Sequence, residues 1–144
     1  MKNPIVEQAL ALLAAETSST DVLSSPAVVR DYLRLRLAER EYEVFAVVFL
    51  DTHLRVIETV EMFRGTLSQA SVYPREVVKE ALARNAAAVV LSHNHPSGCP
   101  EPSRSDEYLT QTLRSALQLV DVRVIDHIVV ARSGSVSFAE RGLL

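Results

Sequence analysis

Seven consecutive residues, Val44-Phe45-Ala46-Val47-Val48-Phe49-Leu50, are all apolar. An amphipathic helix or a half-solvated strand cannot absorb such a run, because each needs a polar face. It specifies a strand buried on both sides, and a strand of that kind requires a sheet covered by helices on both faces. With 144 residues, 48% of them hydrophobic and 23% charged, the chain can supply those layers within one globular domain.

Periodicity places the other elements. Ile5 to Glu16 carries Val6, Leu10, Leu13 and Ala14 at helical spacing, and the small polar residues from Thr17 to Asp21 predict its end. Ser25 before Pro26 predicts an N-cap and first helical residue, with Val28, Val29, Leu33 and Leu37 continuing to about Glu39. A polar turn over Asp51 to Leu54 leads to a second strand from Val56 to Phe63, making a hairpin. Pro74 opens a helix predicted to turn Val77, Val78, Ala81 and Leu82 to one side. Ala87 to Leu91 reads as a short strand, Ser103 to Val120 as a helix, Val122 to Ala131 as the last long strand, and Val136 to Phe138 as a short one after the Ser133-Gly134 turn. Alternating helices and mixed strands predict an α/β (α+β) fold, a mixed sheet flanked by helices. Residues 1–25 are expected to form a helical segment ahead of a domain over 26–144.

Several function classes are disfavoured. The single cysteine, Cys99, cannot form an internal disulfide and fits a reducing, cytoplasmic setting. No stretch reaches 18 uninterrupted apolar residues, and the first twenty hold Glu7 and Glu16 without a basic segment leading into an apolar one, so neither a membrane span nor a secretion signal is expected. A formal charge of −3 lacks the basic excess of a strong nucleic-acid binder. The letters of His93-Asn94-His95 spell HNH, but nucleases of that name scatter their residues over a ββα hairpin, so the coincidence carries no weight.

Chemistry concentrates in Ser92-His93-Asn94-His95-Pro96-Ser97-Gly98, at the end of an apolar strand. Residues i and i+2 of an extended segment point to one side, so both imidazoles can reach a common ion at zinc distance, about 2.0 to 2.1 Å. Eleven positions beyond His95, Asp106 shares a helical stripe with Leu109 and Leu113 and is thereby turned toward the strand end. Three protein ligands with a fourth position left to water form a catalytic rather than a structural zinc site, which predicts one Zn2+ per chain. Taken alone, Ser103-Arg104-Ser105-Asp106 is also a capping-box variant, and Asp106 then serves the helix end instead.

His93-Asn94-His95-Pro96 followed by Ser103-x-x-Asp106 resembles the JAMM (MPN+) metalloprotease motif. With the phrases FRGTLSQASVYPREVV and Asp126-His127-Ile128-Val129-Val130, the chain from 26 to 144 is similar to the bacterial RadC-like branch of that family. The resemblance implies a cytidine-deaminase-like, curved mixed sheet, and a zinc-dependent hydrolase that cleaves an amide bond in a protein or peptide. It also implies a glutamate acting as general base at the entrance to the first core strand. The matching residue is Glu43, whose desolvation would raise its proton affinity; Glu41 and Glu76 are the fallbacks. Ser103 matches the family serine that donates to the developing oxyanion, a role compatible with capping because one hydroxyl both accepts and donates. Asn94 stands where the wider family has Ser or Thr. His127 is open between orienting a ligand and being a buried structural histidine, and Cys99 is an incidental loop thiol or an occasional metal contact. The alternatives are a zinc-containing module associated with DNA repair and lacking peptidase activity, and a metal-dependent nuclease or deaminase. Longer members of the branch carry a helix-hairpin-helix region, for which the first 64 residues here offer no glycine.

Overall fold

A computed structural model describes residues 3–66 and 71–144. In chain order the elements are α1 (Pro4–Ser19), α2 (Pro26–Leu37), β1 (Val44–Leu50), β2 (Val56–Arg64), α3 (Pro74–Ala83), β3 (Ala88–Asn94), α4 (Arg104–Gln118), β4 (Arg123–Ala131) and β5 (Gly134–Ser137). The strands form one sheet in the order β2-β1-β3-β4-β5. β1 pairs antiparallel with β2 and β3, β3 pairs parallel with β4, and β5 returns antiparallel to β4.

The apolar run does what its composition requires, and all seven residues of β1 are buried. Successive side chains alternate between two cores. Ala46, Val48 and Leu50 meet Val29, Leu33 and Leu37 of α2 on one face. Phe45, Val47 and Phe49 meet Val77 and Ala81 of α3 and Leu113 and Leu117 of α4 on the other. Each large side chain withdrawn from water in this way contributes about 1.5–3 kcal/mol. The α/β class expected from the sequence is therefore the one adopted, and α1 lies against α2 and β2.

The parallel β3–β4 pair positions the site. Parallel neighbours need a crossover, here α4, and a helix that crosses back begins near the end of the strand it follows. The first turn of α4 thus lies beside the C-terminal end of β3, where ligands in α/β sheets are commonly bound.

Four expectations need correction. Thr17 to Ser19 do not interrupt α1: the hydroxyls of Thr17 and Ser18 donate to the carbonyls of Ala14 and Ala15, and that of Ser19 to Glu16, so the helix continues to Ser19 and ends at the extended Thr20. Ser25 makes no side-chain capping bond, and Pro26 opens α2 through its preset φ alone. Leu82 is 52% exposed, because the residue after Ala81 is rotated about 100° off the inward Val77–Ala81 face of α3. β3 runs on to Asn94, because ladder pairing with β1 and β4 outlasts the apolar stretch. Of the phrase FRGTLSQASVYPREVV, positions 67–70 lie outside the described residues.

Candidate metal centre

His93 is the penultimate residue of β3, paired with Phe45 of β1 and Val129 of β4, while His95 follows with its backbone N–H donating to the Val130 carbonyl at 2.9 Å. Both imidazoles face the α4 side, and their Nε2 atoms stand 3.0 Å apart. The Asp106 carboxylate closes the group, with Oδ1 3.3 Å from His93 Nε2 and Oδ2 3.2 Å from His95 Nε2. Two ligand atoms each about 2.0 Å from a tetrahedral ion lie about 3.3 Å apart, so these separations match a single cation bound by all three. Among the described residues no other group of three His, Cys, Asp or Glu side chains converges in this way.

Capping and metal binding are not alternatives for Asp106. Its Oδ2 accepts the Ser103 N–H at 2.9 Å, and its own N–H donates to Ser103 Oγ at 3.1 Å, completing a capping box. The third position of α4 lets one carboxylate hold the helix end and face both histidines at once.

The remaining ring nitrogens are also engaged. His95 Nδ1 donates to the carbonyl of Cys99 at 2.9 Å, which leaves its Nε2 lone pair for an ion. The Cys99 thiol is exposed and lies outside the cluster; only its backbone contributes. His93 Nδ1 lies 2.7 Å from Nε2 of the fully buried His127. His127 therefore touches a candidate ligand rather than merely filling the core.

Charge follows this geometry. Burial alone would raise the Asp106 carboxyl, but the contacts from His93 and His95 prevail and hold it well below the ordinary carboxylate range. The hydrogen bond that the Asp106 carboxylate accepts raises His95 against its own burial. Burial pushes the His127 imidazole well below its usual value, so the ring is neutral.

A cleft of about 460 Å³ opens onto the cluster, and its lining combines the polar Glu43, His93, Ser103 and Asp106 with Val72, Tyr73 and Leu109. Burial raises the Glu43 carboxyl above the ordinary glutamate value, against the pull of His93 and His95. Glu41 is exposed, and Glu76 sits on α3 with Lys79 3.9 Å away; neither lines the cleft. A larger surface hollow of about 710 Å³, beside Arg114 and Arg123, contains no such ligating group.

Sequence reasoning missed the part played by Asn94. Alternation along β3 turns it away from the histidines to the α2 face, where it is fully buried. Its Oδ1 accepts the Val44 N–H at 2.7 Å and its Nδ2 donates to the Tyr42 carbonyl at 3.1 Å, so it grips the backbone on both sides of Glu43. A polar side chain at the end of a buried strand was the available signal; its partners were not. Asp126 has a structural task, accepting from Ser137 Oγ at 2.6 Å and from the Ala139 N–H at 2.9 Å to hold the C-terminal turn.

The model of the RadC-like JAB domain matches residues 23–143. The chain belongs to the RadC-like JAB domain family. Its curated relatives include UPF0758 proteins of Methylibium petroleiphilum, 64% identical over 140 residues, and of Leptothrix cholodnii, 59% identical over 140 residues. A third, from Aromatoleum aromaticum, is 60% identical over 141 residues. Each alignment covers 97% of this chain and 63% of the relative, so the RadC-like chain described here spans less than two thirds of their length. The JAB family assignment agrees with the mixed five-stranded sheet and its four helices. No helix among the described residues is long and apolar enough to cross a membrane.

Proposed function

We propose that this RadC-like domain is a zinc-dependent hydrolase that cleaves an amide bond in a protein or peptide. The observation that carries the reading is the convergence of His93, His95 and Asp106 beside a cleft that the buried Glu43 also lines. His93, His95 and Asp106 would hold one zinc ion. When bound there, zinc supplies a Lewis acid that lowers the pKa of water to about 7 and polarises a carbonyl oxygen.

The protein's own groups do the rest. Glu43 takes the proton of the attacking water and returns it to the leaving amine, a task suited to a carboxylate whose proton affinity burial has raised. Ser103 Oγ accepts the Asp106 N–H with a lone pair, leaving its proton to donate to the developing oxyanion. Val72, Tyr73 and Leu109 offer the substrate an apolar wall. The lone exposed Cys99 fits a reducing cytoplasmic setting for this reaction.

The test reads new amino termini by mass spectrometry after a peptide library is incubated with protein and zinc. Wild type should generate them, whereas Glu43→Gln and chelator-treated wild type should not. Termini that appear equally with all three preparations, or with none, would overturn the hydrolase reading.

A further inference from the structure

Behind the candidate ligands a second layer runs from β3 through β4 to α4. His93 Nδ1 lies 2.7 Å from His127 Nε2, and His127 Nδ1 lies 2.6 Å from Thr110 Oγ1. Thr110 Oγ1 in turn donates to the Asp106 backbone carbonyl at 2.8 Å. His127 and Thr110 are fully buried and His93 nearly so, which leaves water little access to exchange with these partners. The His127 ring is also locked in place: Phe138 stacks on it with centroids 4.7 Å apart, and Phe45 meets its edge at 5.7 Å.

We infer that Thr110 and His127 are positioning residues that fix the proton of His93 on Nδ1 and so present its Nε2 lone pair to the metal. Counting protons gives the direction. A threonine hydroxyl has one proton, and here the Asp106 carbonyl takes it, so toward His127 the hydroxyl accepts. His127 must then carry its proton on Nδ1. A neutral imidazole with Nδ1–H has a bare Nε2, which can only accept, and the donor facing it is His93 Nδ1–H. The chain begins on the main chain of Asp106 and ends on His93, so one ligand's helix turn sets the tautomer of another.

This inference rests on the metal-site reading above, but part of it holds without metal, because the chain contains only protein groups. Long-range proton–nitrogen NMR correlations on 15N-labelled protein, first chelator-treated and then with zinc added, read the tautomers directly. His127 should carry its proton on Nδ1 in both states, and His93 should retain an Nδ1 proton in both. Thr110→Val removes the acceptor, so the His127 proton should move to Nε2 in the metal-free variant and zinc should bind about 10- to 100-fold more weakly. Thr110→Ser should restore both. An Nε2 proton on His127 in metal-free wild type overturns the inference, as does wild-type zinc affinity in Thr110→Val. Should the valine variant not fold, the wild-type spectra and the serine variant still decide. A protein that binds no zinc, yet shows His127 with its proton on Nδ1, refutes the metal reading and leaves the direction of the chain intact.

Discussion

Asn94 Oδ1 accepts the backbone N–H of Val44 at 2.7 Å, although 50 positions separate the two residues. The residue between the two candidate histidine ligands is thereby tied to the strand entrance that carries Glu43. Removing that side chain would leave the Val44 N–H and the Tyr42 carbonyl without this partner in a buried setting. Asn94→Ala should cost about 1–3 kcal/mol in denaturant unfolding. A loss below about 0.5 kcal/mol, the range of ordinary surface changes, would show that the tie is dispensable.

Asp106 serves the helix and faces both histidines, so Asp106→Asn should separate two effects. The amide keeps an oxygen that can accept the Ser103 N–H, and the metal-free variant should lose at most about 1 kcal/mol. A neutral oxygen is a much poorer partner for a doubly charged ion. Melting with chelator and with excess zinc should therefore show a zinc-induced rise in Tm for wild type and almost none for the variant. Equal rises would remove Asp106 from the ligand set.

Away from the site, Glu61 on β2 is gripped by Arg36 Nε at 2.9 Å and by both terminal nitrogens of Arg40 at 2.9 Å. Burial opposes ionisation, but the bonds from Arg40 and Arg36 prevail and hold the Glu61 carboxyl below its ordinary 4.5. A depressed folded-state pKa contributes stability that is present above the unfolded value and lost as pH falls through the folded one. Glu61→Gln should thus be less stable than wild type by about 1 kcal/mol at pH 7. The gap should narrow once pH drops below about 4.5 and close in stronger acid. A gap independent of pH would assign the loss to packing instead of charge.

Duplex DNA should bind this chain weakly. With a formal charge of −3 there is little net attraction to phosphate, and what binding occurs should fall sharply between about 50 and 200 mM salt. Fluorescence anisotropy with a labelled duplex measures this. Submicromolar binding that persists at physiological salt would favour a DNA-associated module.

The buried strand, the helices over it and the meeting of His93, His95 and Asp106 could be read from the sequence, because each follows from a local period. Seven apolar residues in a row need two covered faces, positions i and i+2 of a strand share a side, and the helical stripe of Leu109 and Leu113 turns Asp106 inward. Local period also raised the choice between cap and ligand at Asp106, which geometry then dissolved, since a carboxylate has two oxygens and the helix start lies beside β3. Sheet order decided the rest. Asn94 meets Val44 because β3 pairs with β1, and His127 meets His93 because β4 lies on the other side of β3. Thr110 completes the chain because the crossover lays α4 over both. These partners are 17 to 50 positions apart, and no local period encodes which strands become neighbours; only the collapsed sheet, choosing the order that buries both faces of β1, brings them together.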